Sequence, residues 1–154
     1  MSDPEEFILK SIYSKQYAAN IEIEDQISIG TLKSLKNSFV MNVFDGHGGK
    51  TLAEYCSSNI VEMLDEILDK NLKGGADIKT IDEFIVKSLK SVYEKLENTF
   101  YDDIYSEHIN INPDRNTKIR RVGTCGITIL VYKKKIYVAN CGDSQAIIVS
   151  SDNS

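Results

Sequence analysis

The stretch FVMNVFDGHGGKT, residues 39–51, decides how the middle of this chain folds. An apolar run ends at Asp45, and three glycines then surround His47. Glycine suits turns that other residues cannot make and places where backbone approaches a ligand closely. The stretch therefore predicts a buried strand over 38–44, a tight turn holding a carboxylate and an imidazole, and a helix after the glycines.

Upstream of this stretch, residues 21–29 read IEIEDQISI and alternate between apolar and polar. A period of two predicts a half-buried strand whose inner face carries four isoleucines, Ile21, Ile23, Ile27 and Ile29. Asp25 falls on that same apolar face. An inward carboxylate is costly unless it is paired, hydrogen-bonded or close to a metal ion.

Downstream, two apolar stripes with helical spacing predict two long helices. The first runs from Leu52 to Leu68 and stops before the pair Gly74–Gly75. The second begins at Thr80, which has a glutamate three residues later as in a capping box, and its stripe extends to residue 104. Core packing accounts for both stripes.

The C-terminal third favours a hairpin followed by a further strand. GTCGITILVY and KIYVANC are two strand-like runs joined by lysines, GDSQ is a turn, and AIIVS at 146–150 reads as another strand. Runs of strands on either side of two helices indicate the α+β class rather than an alternating parallel fold. We expect residues 1–154 to form a single domain.

Composition narrows the functional classes. The net charge of −5 argues against a nucleic-acid partner, and the lysine run at 133–135 is expected to be a solvated hairpin tip. Three widely spaced cysteines indicate neither a disulfide framework nor a zinc site, which fits a reducing compartment. The N-terminus lacks a signal core and no apolar run is long enough to span a membrane, so we expect a cytoplasmic or nuclear protein.

The glycine-rich turn admits three interpretations. In a phosphate-binding loop, GKT at 49–51 would be its end, but that pattern needs a glycine where Phe44 stands. As a simple tight turn, it would leave Asp45 to cap the following helix. As a site for Mg²⁺ or Mn²⁺, it would use the carboxylate of Asp45, the carbonyl of Gly46 and oxygens from Glu24 and Asp25. The inward Asp25 and the second glycine–aspartate turn in CGDSQ favour the metal site.

Three stretches together resemble the type-2C metal-dependent protein serine/threonine phosphatases, the PPM family. They are IED at 23–25, VFDGHGG at 43–49 and YVANCGDSQA at 137–146, in the order of the family. The resemblance runs from about Ile21 to the end of the chain. It implies part of a β-sandwich flanked by helices, the four-layer α-β-β-α fold, and a phosphoprotein as substrate.

The resemblance also implies roles for individual residues. Asp45 matches the aspartate that two manganese or magnesium ions share, and Gly46 matches the glycine whose carbonyl binds one of them. Glu24 and Asp25 match the acidic pair of the first motif. The resemblance assigns two further roles: His47 matches the general acid, and Asp143 an acidic position linked to a further, weaker metal ion.

Two departures from the family pattern are visible. Asn20 stands where the family usually has a phosphate-binding arginine, and an amide cannot provide the charged bidentate grip of a guanidinium. Lys15, Lys33 or Lys50 are candidates to compensate. Cys125 and Gly126 replace the more usual threonine and alanine, which a strand should tolerate.

The family's catalytic domain is substantially longer than this chain, which has consequences for activity and association. We expect weak or no hydrolysis from this portion alone. The alternative is a catalytically inactive, phosphatase-like module that binds proteins. A sandwich without its other half leaves strand edges and an apolar sheet face uncovered, so self-association or strand swapping is expected as well.

Overall fold

The computed structural model describes residues 11–17, 22–74, 80–105 and 121–149, apart from the side chains of 104 and 105. The described elements are β1 (Gln26–Gly30), β2 (Ser38–His47), α1 (Thr51–Lys73), α2 (Ile81–Phe100), β3 (Gly123–Tyr132) and β4 (Lys135–Cys141). A π-helical turn, Tyr101–Tyr105, continues α2. The predicted α+β class is confirmed. Neither helix in these ranges is long and apolar enough to cross a membrane.

The strands form one antiparallel sheet in the order β1-β2-β3-β4. β2 pairs with β3 over its whole length, from Ser38 opposite Tyr132 to His47 opposite Gly123. β1 pairs with β2 only as far as Gln26 opposite Phe44. The last three residues of β2 therefore extend beyond the start of β1. On that side of β2 they face the segment that precedes β1.

Both helices cover the same face of the sheet: α1 contacts β1, β2 and β3, whereas α2 contacts β4. The core between the layers consists of Val40, Phe44, Ala53, Cys56, Ile60, Leu64, Leu68, Ile85, Leu89, Val92, Leu96 and Leu130, with Leu32 and Leu35 at its edge. Both predicted helical stripes supply this core, as periodicity indicated. The described ranges thus contain one helical layer and one sheet layer of the α-β-β-α arrangement.

The opposite face of the sheet carries apolar side chains that remain partly exposed. Ile29, Val43, Ile136 and Val138 lie on it, with exposed fractions of 44%, 39%, 43% and 47%. These four residues and their neighbours on that face are called the open face below. Apolar surface of this kind indicates a contact surface rather than a solvated one.

A chain of hydrogen bonds crosses the core and ties the sheet to α2. The Thr128 hydroxyl donates to Asn42 Oδ1 at 2.8 Å, and the Asn42 amide donates to Ser28 Oγ at 3.0 Å. The hydroxyl groups of Tyr93 and Thr128 are 2.9 Å apart. Asn42 and Thr128 are fully buried, so these partners offset the cost of desolvating their polar groups. These hydrogen bonds connect β1, β2, β3 and α2.

Three strand predictions need correction. The first strand begins at Gln26 rather than at residue 21, since its pairing with β2 ends at Gln26 opposite Phe44; Ile21 lies outside the described residues. β2 continues through His47, since β3 pairs with all of its residues. No strand forms over 146–149, and residue 150 is not described.

The turn after β4 explains why the last apolar run does not pair with the sheet. Gly142 has φ +116°, and the Asn140 side chain donates to the carbonyls of Gly142 at 3.3 Å and Ser144 at 2.9 Å. This irregular backbone breaks the strand direction at Cys141. The predicted hairpin and the Thr80 cap are both present, the latter accepting from the Glu83 amide at 3.3 Å.

Asp65 on α1 holds the loop between β1 and β2, which gives a first prediction. Its Oδ1 accepts from the Ser34 amide at 2.8 Å and from the Ser34 hydroxyl at 2.6 Å. Partial burial raises the pKa of Asp65, but these hydrogen bonds and Lys33 outweigh it, and the net pKa is lowered. A carboxyl whose folded pKa is depressed stabilises the fold above its unfolded value, and the effect is lost as the pH falls through the folded pKa.

Asp65→Asn should therefore lower the free energy of unfolding at about pH 7 by about 1 kcal/mol, since the group is partly exposed. The difference from the wild type should be smaller at about pH 3, below the ordinary pKa of an aspartate, because part of the Asp65 stabilisation is lost as the pH approaches the folded pKa. Asp69→Asn on the same helix removes only an exposed Lys73 pair and serves as the control. Chemical denaturation at both pH values measures the effect, and an equal loss at both would rule out the carboxylate as its source.

Candidate functional site

The predicted site residues that the structure describes lie at one end of the sheet. Antiparallel pairing brings together the start of β1, the end of β2, the start of β3 and the end of β4. Asp25 immediately precedes β1, Asp45 and His47 end β2, and Asp143 follows β4. Strand pairing thus brings to one end of the sheet residues that are more than one hundred positions apart in the sequence, such as Asp25 and Asp143.

Asp45 and His47 are strand residues rather than turn residues, which corrects the interpretation of the glycine-rich stretch. They alternate with buried Gly46, so both side chains lie on the face opposite the helices, and both are exposed. The turn proper is Gly48–Gly49, with φ +72° and +126°, values that glycine adopts without strain. Lys50 takes the helix N-cap position without a side-chain cap, so Asp45 does not cap α1.

The carboxyl groups of Asp25 and Asp45 lie within hydrogen-bonding distance of each other. The pKa of Asp25 is raised, first by partial desolvation, then by the charge of Asp45 and the hydrogen bond to it, and finally by Glu24. Two neighbouring carboxylates repel each other when both are ionised. A cation between them would remove this repulsion, so the pair is suited to binding one.

Gly46 sets the spacing between this pair and the helix layer. A Cβ atom added at Gly46 would lie 2.5 Å from the carbonyl oxygen of Glu24 and 3.1 Å from the Cβ of Ala53. The segment before β1 therefore packs directly on the β2 backbone, with α1 on the other side. This close packing brings Glu24 and Asp25 next to Asp45.

Oxygen donors of this kind fit a hard divalent cation, although the described residues do not form a complete ligand set. Carboxylates and carbonyls are the ligands that Mg²⁺ and Mn²⁺ take, usually with several waters. Among the described residues, no three histidine, cysteine, aspartate or glutamate side chains converge closely enough to hold a metal ion. Asp143 follows a strand two positions away from β2, roughly 10 Å at ordinary strand spacing. The structure thus pairs Asp25 with Asp45 and leaves Asp143 apart.

The start of β3 contributes two residues that the sequence interpretation missed. Thr124 Oγ1 donates to the backbone oxygen of Asp45 at 3.0 Å. Gly123 lies opposite His47, whose imidazole occupies the space that a side chain at 123 would need. Gly123 is the first residue of the strand-like run GTCGITILVY, which was the available signal in the sequence. Only the strand register shows that it faces His47.

The two unusual residues of β3 also have defined surroundings. A Cβ at Gly126 would lie 2.9 Å from the Phe44 ring and 3.0 Å from the Tyr93 ring, so the glycine lets both rings close on the strand. Cys125 packs against Gly142, where an added Cβ would lie 2.4 Å from its Sγ. Neither residue disrupts β3, as predicted.

The lysines considered for gripping a phosphate have other partners among the described residues. Asn20 lies outside the described residues. Lys50 pairs with Glu54 at 2.9 Å, Lys15 lies over the Tyr17 ring at 4.4 Å, and Lys33 is close to Asp65. The Lys50–Glu54 pair and the buried Phe44 side chain also weaken the phosphate-loop interpretation of GGKT.

A cavity of about 470 Å³ adjoins His47 on the helix side of the sheet. Its walls include Phe100 and Tyr101 at the end of α2 and Val122 before β3. Glu94 and Glu97 also line it. His47 is therefore one of the residues that line this largely apolar recess.

Comparison with known proteins agrees with this geometry. The family model described as Protein phosphatase 2C matches residues 14–154. Over 132 residues the chain is 31% identical to "Probable protein phosphatase 2C 35" of Arabidopsis thaliana, covering 85% of this chain and 32% of that protein. It is 25% identical over 135 residues to "Protein phosphatase 1B" of Bos taurus, covering 85% and 26%. It is 28% identical over 109 residues to "Protein phosphatase 2C 1" of Paramecium tetraurelia, covering 71% and 33%. The chain thus spans about a quarter to a third of the length of these relatives.

Proposed function

Since this chain belongs to the protein phosphatase 2C family, we propose that it contributes to a Mn²⁺- or Mg²⁺-dependent site that hydrolyses phosphoserine and phosphothreonine in proteins. The family as a whole is metal-dependent. The observation that carries the proposal is the contact between the carboxyl groups of Asp25 and Asp45 near the end of β2. Asp45 precedes His47 by two residues, so the two side chains lie on the same face of the sheet.

Each residue has a defined part in this proposal. Asp25 and Asp45 hold the cation, with Glu24 and the Gly46 carbonyl as further oxygen donors and Asp143 as a more distant one. When bound, such an ion neutralises phosphate charge and lowers the pKa of a coordinated water. His47 donates a proton to the serine or threonine oxygen as the phosphorus–oxygen bond breaks, the role of a general acid, for which histidine is the side chain used most often.

The exposure of His47 supports this part of the proposal. Its side chain is accessible on the same face as Asp45, so a phosphorylated residue could reach both. Asparagine at position 20 offers a weaker phosphate grip than an arginine would. We therefore expect slow turnover from this chain.

Hydrolysis of a phosphothreonine peptide at high protein concentration tests the proposed function. Phosphate release should depend on added Mn²⁺ and stop when the ion is chelated. The rival function, an inactive protein-binding module, predicts phosphopeptide binding that does not depend on Mn²⁺ and no release above the blank with metal alone. That combination would refute the catalytic proposal.

Self-association follows from the open face and the exposed edge of β4, and a second copy of this chain is the proposed partner. Apolar residues on a free sheet face and unpaired strand edges favour pairing between chains. Light scattering over a wide concentration range should show a rising mass. Val138→Lys on the open face should lower it, whereas Val86→Lys, equally exposed at 47% but on α2, should not. A monomeric mass at every concentration would contradict the proposal.

A further inference from the structure

The first residue of β3 lies directly beneath the proposed general acid. Gly123 is the register partner of His47. A Cβ atom added at Gly123 would lie 2.1 Å from His47 Nε2, 2.6 Å from Cε1 and 2.9 Å from Cδ2. These distances are too short for any real side chain, so the imidazole ring occupies the space above the Gly123 Cα atom.

The kind of atom that blocks this space determines what a substitution would do. At Gly48, an added Cβ would lie 2.1 Å from the backbone oxygen of Arg121, so the fold itself would have to shift. At Gly123 the blocking atoms belong to the far end of a side chain, which can rotate. A methyl group at 123 should therefore displace the imidazole and leave the sheet largely intact.

Contacts next to Gly123 hold the backbone of Asp45 in place. Asp45 is paired with Cys125 in the β2–β3 ladder, and the Thr124 hydroxyl lies within hydrogen-bonding distance of the carbonyl oxygens of both, at 3.0 Å and 2.9 Å. None of these contacts depends on a side chain at 123. The Asp45 backbone would therefore stay in place while the His47 ring moved. The position of the ring relative to the carboxylate pair is then set by the residue at 123.

We propose that Gly123 is a positioning residue for His47: the absence of a side chain at 123 lets the imidazole lie against the start of β3, on the same face of the sheet as Asp45. The consequence for catalysis rests on the proposed role of His47 as proton donor. The position of the ring does not, and it can be measured without turnover.

NMR of the His47 ring in the apo chain tests this directly. The chain has two histidines, so His47→Gln assigns the signals. The wild type should show a nuclear Overhauser contact between the His47 ring protons and the Gly123 Hα protons. Gly123→Ala should shift the ring signals, remove that contact and change the melting temperature little. Gly30→Ala is the matched control, because its added Cβ would lie 2.7 Å from Val61 Cγ1, away from His47.

Three results would overturn the positioning role. They are the absence of the contact in the wild type, unchanged ring signals in folded Gly123→Ala, and an unfolded Gly123→Ala. A thermodynamic check uses His47→Ala as background: once the ring is removed, adding Gly123→Ala should produce no further change in melting temperature. A further loss there would also count against the proposal.

Turnover separates this inference from the proposed function. Hydrolysis of the phosphothreonine peptide should fall about tenfold or more in Gly123→Ala, as in His47→Ala, because both variants lose an oriented acid. p-Nitrophenyl phosphate, whose leaving group needs little protonation, should be affected much less. A displaced ring with unchanged peptide hydrolysis would overturn the role of His47 as acid while leaving the role of Gly123 in seating the ring intact.

Discussion

Asp45→Asn is expected to abolish manganese-dependent hydrolysis and the increase in melting temperature that Mn²⁺ produces, without destabilising the apo chain. The loss follows because an amide has no negative charge and one fewer acceptor oxygen to offer a hard cation. The apo chain should be as stable as the wild type or slightly more so, because the substitution removes the charge that faces Asp25.

Substitution of a metal ligand removes the Mn²⁺-induced increase in melting temperature and leaves the melting temperature of the apo chain unchanged, whereas substitution of a structural residue lowers the latter. Thermal melting with and without Mn²⁺ gives both values in one experiment. Asp69 is an exposed aspartate on α1 that pairs with Lys73 at 2.7 Å. Asp69→Asn is therefore the control and should keep the full response to Mn²⁺. If Asp45→Asn lowered the apo melting temperature and kept the Mn²⁺ response, Asp45 would have a role in folding and none in binding.

Gly46→Ala should produce a large loss of stability at the site. The added methyl group would meet the Glu24 carbonyl oxygen at 2.5 Å on one side and the Ala53 Cβ at 3.1 Å on the other, and neither atom is at the end of a flexible side chain. Overpacking of this kind costs about 1–3 kcal/mol. Movement of the segment before β1 would relieve the clash, and that movement would also separate Asp25 from Asp45.

Gly46→Ala should therefore weaken Mn²⁺ binding as well as folding, although no ligand side chain has changed. Denaturant unfolding measures the loss of stability, and titration calorimetry measures the loss of Mn²⁺ affinity. Gly74→Ala, at the C-terminal end of α1 with φ −75°, is the control, and both quantities should stay near their wild-type values. Undiminished Mn²⁺ affinity in a destabilised Gly46→Ala would show that the contact with Glu24 does not position the carboxylates.

The helices and the hairpin could be predicted because their signals are local. Apolar spacing and the Thr80 cap give α1 and α2, and two strand-like runs around a lysine pair give β3 and β4. The resemblance also predicted that Asp25 and Asp45 belong to one site, but the inward orientation expected for Asp25 is wrong, since its side chain is exposed. The helices and the hairpin depend on residues close in sequence.

The remaining features depend on pairing, which sequence periodicity does not specify. The glycines around His47 suggest a turn, yet β3 extends the strand through that histidine. The contact of Gly123 with the ring depends on register between residues 76 positions apart, His47 and Gly123. The apolar run after Gly142 reads as a strand, but a hydrogen-bonded turn at Asn140 directs it away from the ladder.

The most direct test of a divalent-cation site at the end of β2 is the paramagnetic broadening of backbone amide signals during titration with substoichiometric Mn²⁺. Asp25, Gly46 and His47 should lose intensity first, and Asp45→Asn should remove this pattern. Broadening centred on another acidic stretch, such as Asp102–Asp103, or unchanged broadening in Asp45→Asn, would contradict a cation site at the end of β2.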